Sequence, residues 1–363
     1  MSTTTTTTIP TKCLACKDAT GAMMRHTIQR RAIGPSDVHI SISYSGICHS
    51  DIHTGKSEWG PVAYPLCVGH EILGTVVGVG PDVSKFKIGD RAGVGCFTDS
   101  CRTCEECVSG EENYCSGVGG NHGTYASKRS ETLHPGGVSQ GGYSSDIVVD
   151  ENYTIAIPEK MFVPATAPLL CAGITCYSPF RHFGLKAGMT VGVAGLGGLG
   201  HMAVKIAKAM GCTVVVLTRS EYKIESAMKL GATKVVLTTD EQQLTDAAKS
   251  MDFIYNSIAV AHNAKQYLGL LKTSGTMIMV GGVPDVLGVS SFDILPRRLS
   301  IVGSMIGGIR ETQEMIDFCA EHDIVSDIEL VPATPEAVDA AWDRTIKADV
   351  KYRFVIDTAA TLE

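Results

Sequence analysis

No stretch of this 363-residue chain reaches 18 uninterrupted apolar residues, so no membrane-spanning helix is expected. There is no long basic run, and the net charge is −7, which argues against a nucleic-acid-binding surface. The opening "MSTTTTTTIPTK" has neither a charged leader nor an apolar segment behind it, so no secretory signal is expected; the threonine run reads as a disordered tail or a processing remnant. No internal repeat is present. Charged residues make up only 19% against 44% hydrophobic, a balance that excludes a disordered chain and supports a sizeable core. The length favours two domains.

Cysteine, by contrast, is plentiful. There are thirteen, an odd number, and Cys67, Cys212 and Cys319 stand alone in apolar surroundings. Free buried thiols fit a reducing compartment, hence the cytoplasm. In such a chain, clustered cysteines point to metal before disulfides.

Two textures divide the sequence. Residues 1–170 hold short β-like runs ("VHISISYSG", "ILGTVVGVG", "SSDIVVD", "YTIAIP") between turn signals, which reads as a mostly β domain with long loops. From about 175 to 300, nearly continuous apolar runs ("TVGVAG", "TVVVLT", "KVVL", "DFIYNSI", "TMIMVGG") alternate with helical patterns such as "HMAVKIAKAMG" and "KIESAMKLGA". That alternation predicts a doubly wound α/β domain with a parallel sheet. The tail after 309 offers a helix in "ETQEMIDFCAEHD" and a strand in "YRFVID", with no linker that would make it a third domain.

"TVGVAGLGGLGHMAVKIAKAMG" combines strand, glycine turn and helix, and Gly195, Gly197 and Gly200 match G-x-G-x-x-G. The first glycine permits the turn, the second lets the backbone approach a pyrophosphate, and the third lets helix and strand pack closely. The following strand ends in "VVVLTRSEYK". An NAD site usually carries an acid at that point. Thr218, Arg219 and Ser220 stand there instead, with Lys223 a turn on, a group suited to the 2′-phosphate of NADP. Glu221 would hold ribose hydroxyls if the strand ran further.

"CRTCEECVSGEENYC" places Cys101, Cys104, Cys107 and Cys115 within one loop. Four thiolates fill a tetrahedral zinc ion and leave no open position, the mark of a structural site. A disulfide pair is the alternative, although cysteines two residues apart are poorly placed to bridge. A second candidate is scattered: Cys48 in "SGICHSDIHTG", His70 in "CVGHEILG" and Cys171 in "LLCAGITCYSP". Two sulfurs and one nitrogen leave a fourth position for water or substrate, as a catalytic zinc needs. Glu71, next to His70, is placed either to enter and leave that position or to act from just outside the ligand set, and His49 is a rival ligand. Cys67, Cys96 and Cys176 read as packing residues.

Together these segments, with "GSMIGG" and "DVKYRFVID", resemble the zinc-dependent medium-chain dehydrogenase/reductase superfamily, and more narrowly its NADP-dependent, cinnamyl-alcohol-dehydrogenase-like branch. The resemblance covers nearly the whole chain. It implies a GroES-like β-rich catalytic domain over 1–171 and 310–363, a Rossmann domain over 172–309, and an active site in the interdomain cleft. It implies catalytic zinc ligands at Cys48, His70 and Cys171 with Glu71 alternating, a structural zinc at the four clustered cysteines, and a proton relay through Ser50 and His53. The cofactor positions it implies are Gly195, Leu196, Gly197, Gly198, Leu199, Gly200, Thr218, Arg219, Ser220, Lys223, Val280 and Ser304; the substrate-pocket positions are Trp59, Cys96 and Met305. A homodimer joined through edge strands around 275–305 is also implied.

The implied chemistry is reversible reduction of aldehydes by NADPH to primary alcohols, the substrate being aromatic, cinnamyl-type or broad-range. Methionine at 305, where the plant lignin enzymes typically carry an aromatic residue, weakens a strict cinnamyl assignment. Two other readings stand beside it: an iminium or C=C reductase of the same superfamily, and a non-enzymatic nucleotide-binding relative.

Overall fold

The computed structural model describes residues 8–128, 130–282 and 288–362, so most of the threonine run lies outside the described residues. The chain divides into two compact units, 1–171 with 307–363, and 172–306. The crossing expected at 309–310 falls three residues earlier. The reason is local: helix Ile309–Glu321 starts on the first unit, where the Ile309 N–H donates to Glu112 Oε2 (3.1 Å) and Arg310 donates to the Ser109 carbonyl (3.0 Å).

In the first unit a mixed sheet runs in the order Ile328–Pro332, Arg353–Asp357, Asp37–Ile47, Ile72–Val79, Arg91–Val94, Ile155–Ala156, with Asp146–Asp150 also pairing to Asp37–Ile47. The "VHISISYSG" run forms the central strand. Val38, Ile40 and Ile42 bury alternate side chains at 0–2% exposure, as a half-covered strand requires. The C-terminal strand pairs antiparallel with it, Phe354 opposite Ile47, which ties the tail to the first unit without any linker. "YTIAIP" yields only a two-residue strand, because a 3-10 turn over Glu151–Tyr153, capped by Asp150, takes up its start. A hairpin of Ile9–Cys16 and Met23–Arg30 adds a second layer. Its inner residues join Ile47, Ile52, Leu66, Tyr143, Trp342 and Phe354 in one apolar cluster.

The second unit is built on a six-stranded, wholly parallel sheet, Thr190–Ala194, Thr213–Thr218, Lys234–Leu237, Met251–Asn256, Leu271–Met279 and Ser300–Gly303 in chain order. In space the order is third, second, first, fourth, fifth, sixth. This is the dinucleotide-binding order, in which the strand order reverses next to the first strand and opens a crevice at the carboxyl ends. The apolar runs are nearly continuous because both faces are covered. Helix Ala172–His182 buries all of its residues from Ala172 to Phe180. Among the described residues no helix is long and apolar enough to cross a membrane.

Candidate active site

Three neighbouring strands of the first unit deliver polar side chains to one end of the sheet. Cys48 follows the last residue of Asp37–Ile47 and caps helix His49–Gly55. His70 and Glu71 immediately precede Ile72–Val79, and the Gly46 N–H donates to the Glu71 carbonyl (2.9 Å). Arg353 opens the C-terminal strand. Cys171 follows the 3-10 segment Pro164–Leu170. Donor atoms of Cys48, His70, Glu71 and Cys171 all lie within 4.8 Å of one another, and His49 stands outside this group.

The surroundings suit a cation. Both Glu71 carboxylate oxygens are buried without a hydrogen bond, although one lies 3.2 Å from Arg353 Nη2. Gly46 makes room for them, since a β-carbon there would sit 2.0 Å from Glu71 Oε2. Burial pushes the Glu71 carboxyl up to about 8, with Arg353 opposing the shift. The hydrogen bond from Cys171 holds the Cys48 thiol well below its ordinary value against the cost of burial, helped by Arg353 and His70. Cys171 is driven the other way by its thiol partners Cys48 and Cys96. A metal ion would be held by both sulfurs as thiolates, displacing any proton they share. Burial works against charge on His70, but Asp51 outweighs it and raises its pKa. Asp51 Oδ1 lies 3.0 Å from His70 Nδ1, and the Tyr125 hydroxyl lies 3.2 Å from the same nitrogen. That leaves Nε2 as the donor toward the thiols, the orientation that carboxylate partners impose on metal-binding histidines. Asp51 is itself held by the Cys48 N–H (2.9 Å) and the Tyr143 hydroxyl (3.0 Å).

Ser50 Oγ lies 3.6 Å from Cys48 Sγ. His53, one turn on, is 2.5 Å from Glu58 Oε2 and stacks on the largely exposed Trp59 at 4.8 Å between ring centroids. Cys67 and Cys176 are fully buried.

The cysteine loop closes on itself. The sulfurs of Cys101 and Cys107 are 3.9 Å apart and those of Cys104 and Cys115 are 3.8 Å apart, and all four lie within 4.8 Å of one another. A tetrahedron with zinc–sulfur bonds of about 2.3 Å has edges of about 3.8 Å. The spacing therefore fits four thiolates around one ion and rules out S–S bonds in this structure, where none of the thirteen cysteines forms a disulfide. Backbone N–H groups of Thr103 and Cys104 lower Cys101 to about 6. Burial raises Cys107 to about 12.

In the second unit the glycine turn joins Thr190–Ala194 to helix Gly200–Ala209. Gly195 has φ +90°, Gly197 faces open space, and a β-carbon on Gly200 would stand 1.9 Å from the Gly195 carbonyl oxygen. These are the three demands of a pyrophosphate cradle: turn, approach and packing. The next strand stops at Thr218, so Glu221 lies beyond it in a 3-10 turn with Lys223. Arg219 is exposed, and Lys223 Nζ donates to the Leu196 carbonyl (3.1 Å), so its charge sits against the glycine turn. Val280 and Ser304 close the carboxyl ends of their strands through bonds from their N–H groups to Asn256 and Met279. Met305 follows, half-exposed.

Two family models match the chain, "Alcohol dehydrogenase GroES-like domain" over residues 34–159 and "Zinc-binding dehydrogenase" over 198–321. The chain belongs to the zinc-binding alcohol dehydrogenase family. The family assignment rests equally on full-length relatives. An NADP-dependent alcohol dehydrogenase C 1 of Mycolicibacterium smegmatis is 50% identical, covering 95% of this chain and 97% of its own. The aldehyde reductase YahK of Escherichia coli is 49% identical, over 91% and 93%. The crystal structure of a CAD from Helicobacter pylori complexed with NADP(H) superposes with a TM-score of 0.89 at 40% identity, over 98% of this chain and all of the other.

Asp51, Tyr125 and Arg353 adjoin the candidate cluster and are not singled out by the sequence. Asp51 was within reach, three residues from Cys48 in "CHSD". Tyr125 sits in a segment with no motif and Arg353 in "DVKYRFVID", which marks a strand but no site residue; strand pairing and loop packing bring them to the cluster.

Proposed function

We propose that this protein is a zinc-dependent NADP(H) alcohol dehydrogenase and aldehyde reductase. The single observation that carries the reading is the buried set of two sulfurs, one imidazole nitrogen and one carboxylate within 4.8 Å, in a chain that also carries an open glycine cradle. When bound, zinc supplies Lewis acidity toward a carbonyl oxygen and NADPH supplies the hydride. Aldehyde, NADPH and one proton give primary alcohol and NADP.

Cys48, His70 and Cys171 hold the ion, Glu71 serves as an alternating fourth ligand, and Asp51 keeps His70 turned toward it. Ser50 donates the proton to the substrate oxygen and takes it back in the reverse direction. His53, partly exposed and paired with Glu58, exchanges that proton with solvent. Cys101, Cys104, Cys107 and Cys115 hold a second zinc whose role is structural. Gly195 to Gly200 take the pyrophosphate, Thr218, Arg219, Ser220 and Lys223 the 2′-phosphate, and Val280 and Ser304 further parts of the cofactor. Trp59, Cys96 and Met305 contact the substrate. Their mixed character fits aromatic, cinnamyl-type or broad-range aldehydes.

The parallel sheet ends at Ser300–Gly303, which pairs on one side only among the described residues. An edge of this kind supports a homodimer formed through it. Thirteen cysteines without a disulfide support a cytoplasmic setting. The reading is tested by a panel of aldehydes assayed with NADPH and with NADH on zinc-loaded protein. Turnover with NADPH is expected, and no turnover of any aldehyde overturns it.

A further inference from the structure

A third sulfur stands beside the proposed catalytic metal site. Cys96 occupies the short link between strands Arg91–Val94 and Phe97–Asp99. Val94 pairs with Ile72 in an antiparallel register, so two steps further along, residue 96 comes level with His70. The strands Asp37–Ile47, Ile72–Val79 and Arg91–Val94 are successive neighbours. Each therefore has a metal-type donor at the same end: Cys48, His70 and Cys96.

The backbone of this link is fixed. The Thr124 hydroxyl donates to the Gly95 carbonyl (2.5 Å) and the Thr124 N–H to the Cys96 carbonyl (3.1 Å). Gly95 packs against the residue before Cys171; a β-carbon there would stand 3.0 Å from the Leu170 carbonyl oxygen. The Cys96 thiol lies 3.8 Å from that carbonyl, shares a hydrogen bond with the Cys171 thiol, and interacts electrostatically with His70 and Cys48. It is outside the group whose donor atoms lie within 4.8 Å of one another, and unlike that group it is partly exposed. It stands at the edge of the cluster, beside Cys171, rather than within it. A zinc ion prefers thiolate to carboxylate oxygen, so the Cys96 sulfur competes with Glu71 for the fourth place.

We propose that Cys96 is an internal third sulfur ligand, closing the catalytic zinc as a three-cysteine, one-histidine tetrahedron while no substrate is bound and yielding the position to the substrate oxygen. The inference rests on the metal-site reading above. It makes Cys96 a competitor for the fourth position as well as a wall of the substrate site.

The test is spectroscopic. Cobalt(II) is exchanged into the catalytic site with zinc kept in the cysteine loop, and the thiolate-to-cobalt charge-transfer band is measured for the wild type, Cys96→Ala and Cys96→Ser. The wild type is expected to show the intensity of three thiolates and both variants about two-thirds of it, since one sulfur of three is lost. Imidazole, a simple metal ligand, should lower the wild-type band to the variant level and leave the variant bands unchanged. The variants should also bind imidazole several-fold more tightly. Equal bands in wild type and variants, none of them altered by imidazole, overturn the third-sulfur proposal and leave the metal site standing. No thiolate band in any of the three proteins removes the metal site itself, and the proposal with it.

Discussion

Arg353 Nη2 lies 3.2 Å from Glu71 Oε1, and both side chains are buried, 5% and 0% exposed. The two residues are far apart in the chain. They meet because the C-terminal strand lies beside Asp37–Ile47, with Phe354 opposite Ile47. A buried carboxylate that loses its cation is costly. Because burial raises the Glu71 pKa to about 8, the carboxyl is charged mainly above that pH, and it is there that Arg353→Met should destabilise the protein, by up to about 3–5 kcal/mol. The double variant Arg353→Met with Glu71→Gln should recover much of that loss, because no charge is left unpaired. Urea denaturation of the single and double variants checks both expectations.

Cys171→Ala should remove aldehyde reduction while leaving NADPH affinity within about twofold, since Cys171 belongs to the first unit and the glycine cradle to the second. Metal content should fall by about one ion per chain, by the ligand count of an open zinc site. Steady-state rates, NADPH titration and elemental analysis together check this; full activity in the variant would remove the catalytic assignment.

Arg219→Asp replaces an exposed guanidinium just beyond the end of strand Thr213–Thr218 with a like charge for a phosphate. NADPH should bind at least about tenfold more weakly, a change of about 1.4 kcal/mol, while NADH changes little. Equal losses for the two cofactors would place the 2′-phosphate elsewhere.

Cys104→Ala opens the closed four-sulfur loop. The loop abuts helix Ile309–Glu321 through Glu112 and Arg310, so its loss should loosen that helix start as well. A stability loss of about 2 kcal/mol corresponds to roughly 4–8 °C in Tm for a domain of this size. The rate per folded molecule should be far less affected. Calorimetry and active-fraction assays separate the two effects.

Asp37 shows how pH enters stability. Burial opposes its ionisation, but paired hydrogen bonds from Arg31 (2.8 and 2.9 Å) and one from the Gly34 N–H outweigh burial and hold its pKa below the ordinary value of 3.8. Below that ordinary value the unfolded chain binds the proton first, so the contribution is full above it and disappears as pH falls through the lower folded value. Asp37→Asn should cost about 1.5–3 kcal/mol near neutrality, the range for hydrogen bonds to charged groups. The difference from wild type should shrink below about pH 4. Denaturation curves from pH 3 to 7 check the trend.

The metal-type residues were legible because each chemistry imposes its own local pattern. The loop of Cys101, Cys104, Cys107 and Cys115 carries its four sulfurs within fifteen residues, so spacing alone favours metal, with a disulfide pair as the alternative. The glycine turn is equally local. Cys48, His70 and Cys171 are individually ordinary; their residue types, grouped with a nucleotide-binding pattern, suggest an open metal site, and the resemblance to a family then implies the same three. Elements without a strong pattern were passed over: the Ile9–Cys16 hairpin strand, whose burial alternation is broken, and helix Ala172–His182, which is apolar nearly all round and interrupted by Pro179.

Sequence by itself determined the two textures of the chain, the glycine turn that a helix must follow, and the closed cysteine loop, because each depends on residues a few positions apart. Tertiary structure alone decided what surrounds the reactive cluster. Which end of the sheet gathers Cys48, His70 and Glu71, and that Arg353 arrives from the far end of the chain to face them, follow from strand register, while loop and helix packing bring Asp51 and Tyr125 to the imidazole and Cys96 beside Cys171. Register is a property of how distant segments pair, set by the sum of many apolar contacts, and no short stretch of sequence contains it.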